Sequence, residues 1–440
     1  MMRPKLIRLL LFLLLIFIVP FSAAYHIGVN YGTVANNLPQ PHQVANFIKT
    51  KTNINHIKIF DTNPTILSAF SNITEISLTV TVPNSDIISL SNLPKARSWL
   101  SNNLLPFLHT TSIRYIAVGN EVIATSDKNL IAHLLPAMES LTLALNLANV
   151  TGISVSTPHS LGILSGSSEP PSSGKFRKGY DKSIFAPILN FHNRTKSPFM
   201  VNPYPFFGFG PETLNYALFN TNHAVFTDPV TKLNYTNMFD AQLDAVYSAM
   251  KRLGYGDVDI VVAETGWPSA GEPNQTGVGL DYAKVYNGNL IKHVNSGKGT
   301  PLMPNRVFET YIFSLFNENL KPSVSEQNFG LFKPDFTPVY DVGIMKTDQV
   351  MSLGKWCVPR SEASDEALQR NIDYVCSVGV DCVPISYGGP CFSPDTVRSH
   401  ASYSMNLYYR TFGMFDYDCD LNLTGIITTV NPSYDACSYI

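Results

Sequence analysis

The chain has 440 residues, a formal net charge of −2 and only 15% charged residues. That length is more than one ordinary domain needs, and it allows a large barrel with a small second module. The near-neutral charge gives no basic field for nucleic acid or for an anionic membrane surface, and it suits a neutral, hydroxyl-rich partner better.

The first 24 residues predict a secretory signal peptide. Basic residues precede an unbroken apolar stretch, Leu9–Val19, and small residues lead to a cleavage site after Ala24. The stretch is too short to favour a membrane span, so an uncleaved anchor is the lesser alternative. No hydrophobic tail follows Cys437, which argues against a lipid anchor.

Six Asn-X-Thr sequons agree with export to an extracellular location, although sequons also arise by chance. They begin at Asn72, Asn149, Asn193, Asn234, Asn274 and Asn422. We therefore expect a secreted protein without stable membrane insertion, and we expect it to act as a monomer.

Eight short apolar runs before the cysteines have the character of strands. They are His26–Tyr31, His56–Asp61, Ser77–Val82, Ile113–Glu121, Gly152–Thr157, Pro198–Tyr204, Asp259–Glu264 and Val307–Phe316. Segments with helical spacing separate them, for example Gln43–Lys49, Leu130–Leu147 and Phe239–Leu253. Eight β-then-α repeats favour a (β/α)8 TIM barrel over residues 25–344, and the count of eight distinguishes it from a doubly wound open sheet.

Two of these runs end in a glutamate, Glu121 after the fourth and Glu264 after the seventh. A β-branched run that stops at a charged residue is typical of a buried parallel strand that carries a side chain at its open end. In a barrel both carboxylates then lie on the face where active sites occur, and a pair of carboxylates is what glycosidic-bond cleavage uses. For either glutamate alone, a surface or helix-cap position is the alternative.

Two segments are long and irregular, Ser165–Asp181 and Phe206–Asn237. The second is rich in aromatic residues and forms either a substrate rim or a floppy surface insert. Glu139 and Asp244 fall on predicted helices and are expected to be solvated. The histidines at positions 133, 192, 223 and 293 have no metal-ligand spacing, so we predict that they are structural or surface residues and that there is no metal site.

All six cysteines follow residue 356, and an even set in a short secreted segment predicts a disulfide-stapled module at 355–440, after a linker at 345–354. A metal site is the weaker alternative, because the segment has no CxxC pair and His400 is its sole histidine. The sequence itself leaves 15 disulfide pairings open. Two amphipathic helices are predicted in this module, at Asp365–Cys376 and His400–Arg410.

Four motifs in order along the chain, with a closing segment, carry a resemblance to a known family. They are Asn30-Tyr31-Gly32, Val118-Gly119-Asn120-Glu121, Ala263–Ser269, Leu315–Pro322 and Phe329–Phe332. Together they resemble glycoside hydrolase family 17, the plant endo-β-1,3-glucanases, over residues 25–344. The tail resembles the X8 module, carbohydrate-binding family 43, at Lys355–Val358, Gly388–Phe392 and His400–Tyr403.

The resemblance implies a secreted endo-hydrolase of β-1,3-glucan that retains anomeric configuration and needs no cofactor. Glu121 is then the acid/base and Glu264 the nucleophile, with carboxyl groups about 5–5.5 Å apart. The X8 pattern implies three disulfides: Cys357–Cys419, Cys376–Cys382 and Cys391–Cys437.

Neighbouring residues have expected supporting roles. Asn120 is expected to hold the sugar 2-hydroxyl, and Tyr204 to donate a hydrogen bond to Glu264. Trp267 and Phe316 offer flat faces for pyranose rings. The alternative for Trp267 and Tyr204 is that both are core aromatics at the barrel mouth.

Three further residues belong to the motifs. Glu318 and Lys321 occupy the family's auxiliary positions and are expected to pair and tune the charge around Glu264, with an ordinary solvated ion pair as the alternative. Tyr31, in the opening motif, is expected to support the substrate site.

Three functions remain compatible with these residues. The first is a secreted endo-β-1,3-glucanase whose tail holds the enzyme on polymeric glucan. The second is a cell-wall glucan-binding protein with weak catalysis, and the third is a transglycosylase that uses the same covalent intermediate. Which tail aromatics bind glucan stays open among Tyr387, Phe392, Tyr403, Tyr408 and Tyr409.

Overall fold

The structure is a computed structural model that describes residues 26–166, 170–221, 225–346, 355–412, 416–428 and 430–439. The predicted signal peptide at 1–24 and most of the predicted linker at 345–354 lie outside these residues. The chain divides into two compact units, one ending at Met345 and the other beginning at Lys346.

The first unit is built on parallel strands that form a barrel. Its strands are β1 (Ile27–Tyr31), β2 (His56–Ile59), β3 (Ser77–Val82), β4 (Ile113–Val118), β5 (Ser154–Ser156), β6 (Pro158–Ser160), β7 (Phe199–Asn202), β8 (Phe226–Thr227), β9 (Asn234–Tyr235), β10 (Ile260–Thr265) and β11 (Thr310–Ile312). Strands β8 and β9 form a separate antiparallel hairpin. The other nine run in the order β5-β4-β3-β2-β1-β11-β10-β7-β6, and all neighbours are parallel.

The two end strands of this order, β5 and β6, are successive halves of the predicted fifth strand. Only Thr157 separates them. One half pairs with β4 and the other with β7, so the two ends of the sheet meet at this residue. The count of eight strand positions and the (β/α)8 barrel are therefore confirmed.

Helices cover the outside of the barrel. They are α1 (Pro41–Lys51), α2 (Pro64–Ala69), α3 (Ile87–Leu90), α4 (Leu93–Asn103), α5 (Lys128–Leu147), α6 (Ala186–Thr195), α7 (Leu214–Ala217), α8 (Met238–Arg252), α9 (Leu280–Asn295) and α10 (Val324–Gln327). Side chains cap two of the long helices: Asp127 accepts backbone N–H groups at the start of α5, and Asn237 accepts one at the start of α8.

By length and composition, α5 is the one helix of the described residues that would be able to cross a membrane. Its buried residues recur every three or four positions, with Leu134, Met138 and Leu141 among them. That spacing is the stripe of a helix packed on a protein core.

The aromatic segment Phe206–Asn237 has regular structure in its described residues. It contains 3-10 turns at 205–207 and 211–213, helix α7 and the β8–β9 hairpin. Asp228 fixes the hairpin turn, because its Oδ1 accepts the backbone N–H groups of Val230 and Thr231. The expectation of a floppy insert is therefore wrong for these residues.

Asp244 is also placed differently from its prediction. It lies on α8 and is fully buried, whereas Glu139 on α5 is half exposed as expected. The Asp244 carboxylate accepts hydrogen bonds from Tyr235 Oη at 2.8 Å, from the backbone N–H of Leu302 at 2.8 Å and from the Thr300 hydroxyl. Burial raises the pKa of Asp244 to about 7. The expectation of a solvated residue is wrong because the hairpin and residues 300–302 cover this face of α8.

The second unit is small and mainly helical. Its elements are β12 (Trp356–Pro359), α11 (Asp365–Ser377), α12 (Val397–Phe412), α13 (Asp416–Asp420) and β13 (Gly425–Thr428). Strands β12 and β13 pair antiparallel, and α11 and α12 contain the two predicted helices. The structure has the three disulfides that the X8 pattern implies, Cys357–Cys419, Cys376–Cys382 and Cys391–Cys437. They staple a core too small to be stable by burial alone.

Candidate active site

Glu121 lies beyond the end of β4 on a turn with left-handed backbone. The strand was predicted to reach Glu121, but it ends at Val118, and Gly119 and Glu121 then have φ of 69° and 52°. A Cβ at Gly119 would lie 2.6 Å from Asn84 Oδ1, so glycine is needed there. Glu121 itself is a non-glycine residue in a strained conformation, which is typical of functional positions.

The side chain of Asn84 holds this turn in place. Its Oδ1 accepts the backbone N–H of Asn120 at 2.8 Å, and its Nδ2 donates to the Asn120 carbonyl at 3.1 Å. The backbone N–H of Glu121 donates to the carbonyl of Pro158 on β6. The turn is thereby tied to the neighbouring strand, and the Glu121 carboxyl is presented at the carboxyl-end face of the barrel.

The Glu121 carboxyl meets Asn202 at the end of β7. Asn202 Nδ2 donates to Glu121 Oε1 at 2.9 Å. Burial raises the pKa of Glu121, and the negative charge of Glu264 adds to that effect, whereas the Asn202 hydrogen bond and the Lys58 charge oppose it. A carboxyl with a raised pKa is suited to hold a proton that it later gives away.

Glu264 lies near the end of β10 and is buried, with a donor on each carboxylate oxygen. Lys58 Nζ, on β2, donates to Oε1 at 2.8 Å, and Tyr204 Oη donates to Oε2 at 3.2 Å. The structure thus contains the hydrogen bond predicted for Tyr204. The Lys58 side chain is 0% exposed. Burial lowers the pKa of Lys58, and the carboxylate of Glu264 opposes that shift.

The structure therefore places the two predicted glutamates at the same end of the barrel, in different surroundings. Glu264 has a buried ammonium and a phenol as partners, while Glu121 has one neutral amide. After burial, the negative charge of Glu264 also contributes to the raised pKa of Glu121. Two carboxyl groups in contrasting environments are the arrangement that assigns one of them to proton transfer and the other to charge stabilisation.

The prediction that Trp267 and Phe316 offer flat faces to pyranose rings is wrong, because both rings are buried. Trp267 is fully buried, stacks on Phe209 at 5.3 Å and donates its Nε1–H to the carbonyl of Gly277. Phe316 is 1% exposed and lies edge-on to Tyr31, which is itself 2% exposed. These rings fill the wall of the barrel mouth, because the segments after the strands fold over them.

An exposed ring that the sequence did not single out lies beside Tyr204. Phe207 is 67% exposed, and its ring centroid is 5.3 Å from that of Tyr204. It lies in the aromatic segment Phe206–Asn237, for which a substrate rim is one of the two predicted roles. The signal for this residue was its position just after the Asn202-Pro203-Tyr204 strand end.

Glu318 is buried near the same pocket but does not pair with Lys321. Its Oε1 accepts the backbone N–H of Val34 at 2.7 Å. Among the ion pairs of the described residues there is none between Glu318 and Lys321; the Lys321 ammonium lies 5.2 Å from the Phe313 ring centre. Burial raises the pKa of Glu318, and the Lys321 charge opposes this at a distance. The predicted ion pair between Glu318 and Lys321 is therefore wrong, and so is the alternative of a solvated ion pair between them.

Gly32 on the opening motif lets Glu318 approach. A Cβ at Gly32 would lie 2.4 Å from both carboxylate oxygens of Glu318. A side chain at position 32 would therefore force the Glu318 carboxylate to move away from its hydrogen bond to Val34. The glycine of the Asn30-Tyr31-Gly32 motif thus leaves room for the Glu318 carboxylate.

Sequence reasoning missed Lys58 and Asn202. The signal for Lys58 was a single charged residue inside the apolar run His56–Asp61, since a lysine in a strand buried on both faces needs a partner. Asn202 has a further property that it shares with Asn120. In the described part of the chain, the Oδ1 atoms of both are buried without a hydrogen-bond partner. Unsatisfied acceptors beside a carboxyl pair are positions for ligand hydroxyl groups.

The other cavity and the histidines of the first unit are separate from the candidate site residues. A polar cavity of about 570 Å³ opens at the amino ends of the strands, lined by Arg114, Lys196 and Glu309 among others. Of the histidines predicted to be structural or surface residues, His192 is buried, His293 contacts Asp240 at 2.8 Å, and His223 lies outside the described residues. The described residues contain no cluster of three or more His, Cys, Asp or Glu suited to a metal ion.

Comparison with protein families assigns both units. Residues 27–344 match the profile of Glycosyl hydrolases family 17, and residues 355–426 match that of the X8 domain. The chain belongs to glycosyl hydrolases family 17. As a family 17 member it is a glycoside hydrolase, and its carboxyl pair lies in the unit that the family profile covers.

Relatives of this family 17 chain extend over both units. It is 51% identical to a glucan endo-1,3-beta-glucosidase of Triticum aestivum over 443 residues, covering 95% of each chain. It is 45% identical to glucan endo-1,3-beta-glucosidase 7 of Arabidopsis thaliana, covering 98% of this chain and 88% of that protein. Among solved structures it resembles CJP38, a beta-1,3-glucanase and allergen of Cryptomeria japonica pollen. The identity is 43% and the TM-score 0.68, over 72% of this chain and 98% of that one.

Proposed function

We propose that this protein is a secreted, retaining endo-hydrolase of β-1,3-glucan that acts as a monomer. The observation that carries the proposal is the contrast between its two carboxyl groups. Glu264 has a donor on each oxygen, one of them the buried Lys58 ammonium, whereas burial and the neighbouring charge raise the pKa of Glu121. The names of the relatives supply the β-1,3-glucan linkage.

In the first step Glu264 attacks the anomeric carbon while Glu121 gives its proton to the leaving glycosidic oxygen. The carbon–oxygen bond to the leaving sugar breaks as the glycosyl–enzyme bond forms. In the second step Glu121 takes a proton from water, which attacks the same carbon and releases Glu264. Two inversions retain the configuration, and they require carboxyl groups about 5–5.5 Å apart.

The surrounding side chains position these two groups. Lys58 and Tyr204 fix the orientation of Glu264 through a hydrogen bond to each of its carboxylate oxygens. The free Oδ1 atoms of Asn120 and Asn202 accept sugar hydroxyl groups, an interaction that tightens in the transition state. Phe207 offers the exposed flat face for a pyranose ring that Trp267 does not.

The second unit is proposed to hold the enzyme on polymeric glucan, which raises the local substrate concentration without changing the chemistry. Export through the 1–24 segment is supported by the sequons, because the asparagines of all six are exposed in the structure. Residues 25–344 form the catalytic domain in this proposal, and 355–440 form the binding module.

Incubation with laminarin, mixed-linkage glucan and xyloglucan tests the substrate and the reaction. Short laminari-oligosaccharides are the expected products, and NMR of the first product should show the β-anomer. Products longer than the donor would assign transglycosylation instead, and an α-anomer would contradict retention.

Two variants test the carboxyl assignment. Glu264→Gln and Glu121→Gln should each lose hydrolysis by several orders of magnitude, since each removes a group that acts in the transition state. The Glu264→Gln chain should still bind particulate glucan through the second unit. Ordinary turnover by Glu264→Gln would show that the nucleophile is a different residue.

A further inference from the structure

The second unit presents its aromatic side chains very unequally to solvent. Several are buried in its core: Trp356, Tyr403, Tyr409 and Tyr439. Tyr374 on α11 is 49% exposed, and its hydroxyl lies 3.4 Å from that of Tyr408. Tyr387 is 92% exposed, more than any other large hydrophobic side chain among the described residues. A ring this exposed adds little to the stability of the unit, because it removes almost no apolar surface from water.

The loop that carries Tyr387 is held rigidly. It runs from Cys382 to Cys391, and each of these ends is in a disulfide. The backbone N–H of Cys391 donates to the carbonyl of Pro384 at 2.9 Å, which closes the loop on itself. A Cβ at Gly389 would lie 2.3 Å from that same carbonyl oxygen, so the loop has no room for a side chain at this position. A ring on such a loop loses little conformational freedom when it binds.

Tyr387 is the exposed end of a row of three neighbouring rings. Its ring centroid is 5.4 Å from that of Phe392, which in turn lies 5.5 Å from the ring of His400. His400 Nε2 is 2.8 Å from the Phe392 carbonyl oxygen, which fixes the position of the last ring. We call these three residues the Tyr387 ledge.

We propose that the Tyr387 ledge is the surface on which the second unit holds a β-1,3-glucan chain, with a pyranose ring against Tyr387. The inference rests on the proposed function, which makes this polymer the substrate of the first unit. An uncharged sugar presents apolar C–H faces and hydroxyl groups, and tyrosine matches both through its ring and its phenol. The ledge carries the exposed Tyr387 ring and its phenol beside a second aromatic ring, Phe392.

Two rival surfaces of the same unit fit less well. Tyr374 is half covered, and its phenol already faces that of Tyr408. A groove of about 390 Å³ runs past Val358, Arg398 and Tyr434, but the Tyr434 phenol lies 3.0 Å from Ser399 Oγ. Neither surface offers a ring as open as that of Tyr387.

The test uses the full-length chain with Glu264→Gln, so that the polymer is bound and not cut. Retention on particulate β-1,3-glucan reports the second unit, and calorimetry with a short laminari-oligosaccharide reports the cleft of the first unit. Tyr387→Ala should weaken retention about tenfold or more and leave oligosaccharide binding unchanged. Tyr387→Phe, which keeps the ring, should retain most of the binding. Tyr374→Ala is the matched control, and it should behave like the parent chain.

Unchanged retention in Tyr387→Ala would overturn the proposal, and so would a loss confined to Tyr374→Ala or Tyr434→Ala. An equal loss of particle and oligosaccharide binding in Tyr387→Ala would also overturn it, because the effect would not be local. If the wild-type chain cuts laminarin but its Glu264→Gln form is not retained on particles, the ledge fails while the proposed hydrolysis stands. If the wild-type chain does not cut laminarin, the proposed function fails as well.

Discussion

Lys58 Nζ lies 2.8 Å from Glu264 Oε1, and both side chains are buried although 206 positions separate them in the chain. The ammonium reaches Glu264 from β2, and Tyr204 reaches its other oxygen from beyond β7. Since neither charge is solvated, each depends on the other for its stability in the folded protein. The contact with Lys58 also fixes where the carboxylate oxygens of Glu264 point.

Replacing Lys58 with Met should reduce both activity and stability. The change leaves the Glu264 carboxylate buried without its cation, which costs about 3–5 kcal/mol of folding free energy. We expect kcat/KM on laminarin to fall by about a hundredfold or more, as when a fixed electrostatic partner is lost. Steady-state kinetics and urea unfolding measure the two effects.

The double variant Lys58→Met/Glu264→Gln is the matched control for this prediction. It removes the uncompensated charge, so it should regain most of the lost stability while remaining inactive. If Lys58→Met unfolds like the wild type, the ion pair does not carry the energy assigned to it.

Replacing Asn202 with Ala should move the basic limb of the pH–activity profile to higher pH. The Asn202 hydrogen bond stabilises the ionised form of Glu121 and so opposes the rise of its pKa. Without this bond the pKa rises further, and the acid stays protonated to higher pH. The kcat/KM profile between about pH 4 and 8 measures the limb.

Asn84→Ala serves as the control for the Asn202 variant. Asn84 holds the backbone of Asn120 and does not touch the Glu121 carboxyl. Its loss should lower activity without the shift of the basic limb. A limb that stays in place in Asn202→Ala would contradict the assigned role.

Removing the exposed ring of Phe207 should weaken cleavage of glucan. The ring is 67% exposed next to Tyr204, and its stacking contribution of about 1.4 kcal/mol corresponds to about tenfold in kcat/KM on laminarin. Phe207→Tyr, which keeps a flat ring, should stay near the wild-type value. Equal kcat/KM for Phe207→Ala and wild type would exclude the ring from the substrate site.

The barrel should lose stability as the pH falls below about 6.5 because of two buried histidines. Burial lowers the pKa of His159 and of His192 to about 3, and for His192 the neighbouring His159 adds to the effect. Between about pH 3 and pH 6.5 the unfolded chain binds protons at these histidines that the folded chain does not. Their contribution to the free energy of unfolding is therefore complete above about pH 6.5 and is lost as the pH falls towards about 3. Each histidine contributes a slope of up to about 1.4 kcal/mol per pH unit.

His159→Phe tests this slope. The His159 ring already stacks on Phe199 at 4.8 Å, so an aromatic replacement suits the site. Chemical unfolding at a series of pH values should give a shallower acid slope for the variant, and a shallower one again for His159→Phe/His192→Phe. Identical slopes in all three proteins would refute the assignment.

Contiguous residues determined much of the architecture. The eight apolar runs, the positions of Glu121 and Glu264 near strand ends, and the helical spacing of Leu130–Leu147 are local patterns, and each matches the element found there. The three cysteine pairs came from the resemblance, since spacing itself does not choose among the pairings.

Depth of burial was decided by the tertiary structure. Trp267 and Phe316 follow strands and look available for a ligand, but the folded segments around them exclude solvent. Asp244 has the sequence context of a solvated helix residue, yet Tyr235 and the backbone of Leu302 cover it. Exposure depends on which distant segment packs over a residue, and no local pattern records that.

The sequence by itself therefore determined the barrel, the stapled second unit and the two acids, because apolar runs, helical spacing and charged strand ends are properties of neighbouring positions. Only the tertiary structure decided that Lys58 donates a hydrogen bond to Glu264 and that Asn202 donates one to Glu121. It also decided that the Tyr387 side chain is exposed to solvent. Those facts arise when a closed ring of strands brings side chains together from opposite ends of the chain.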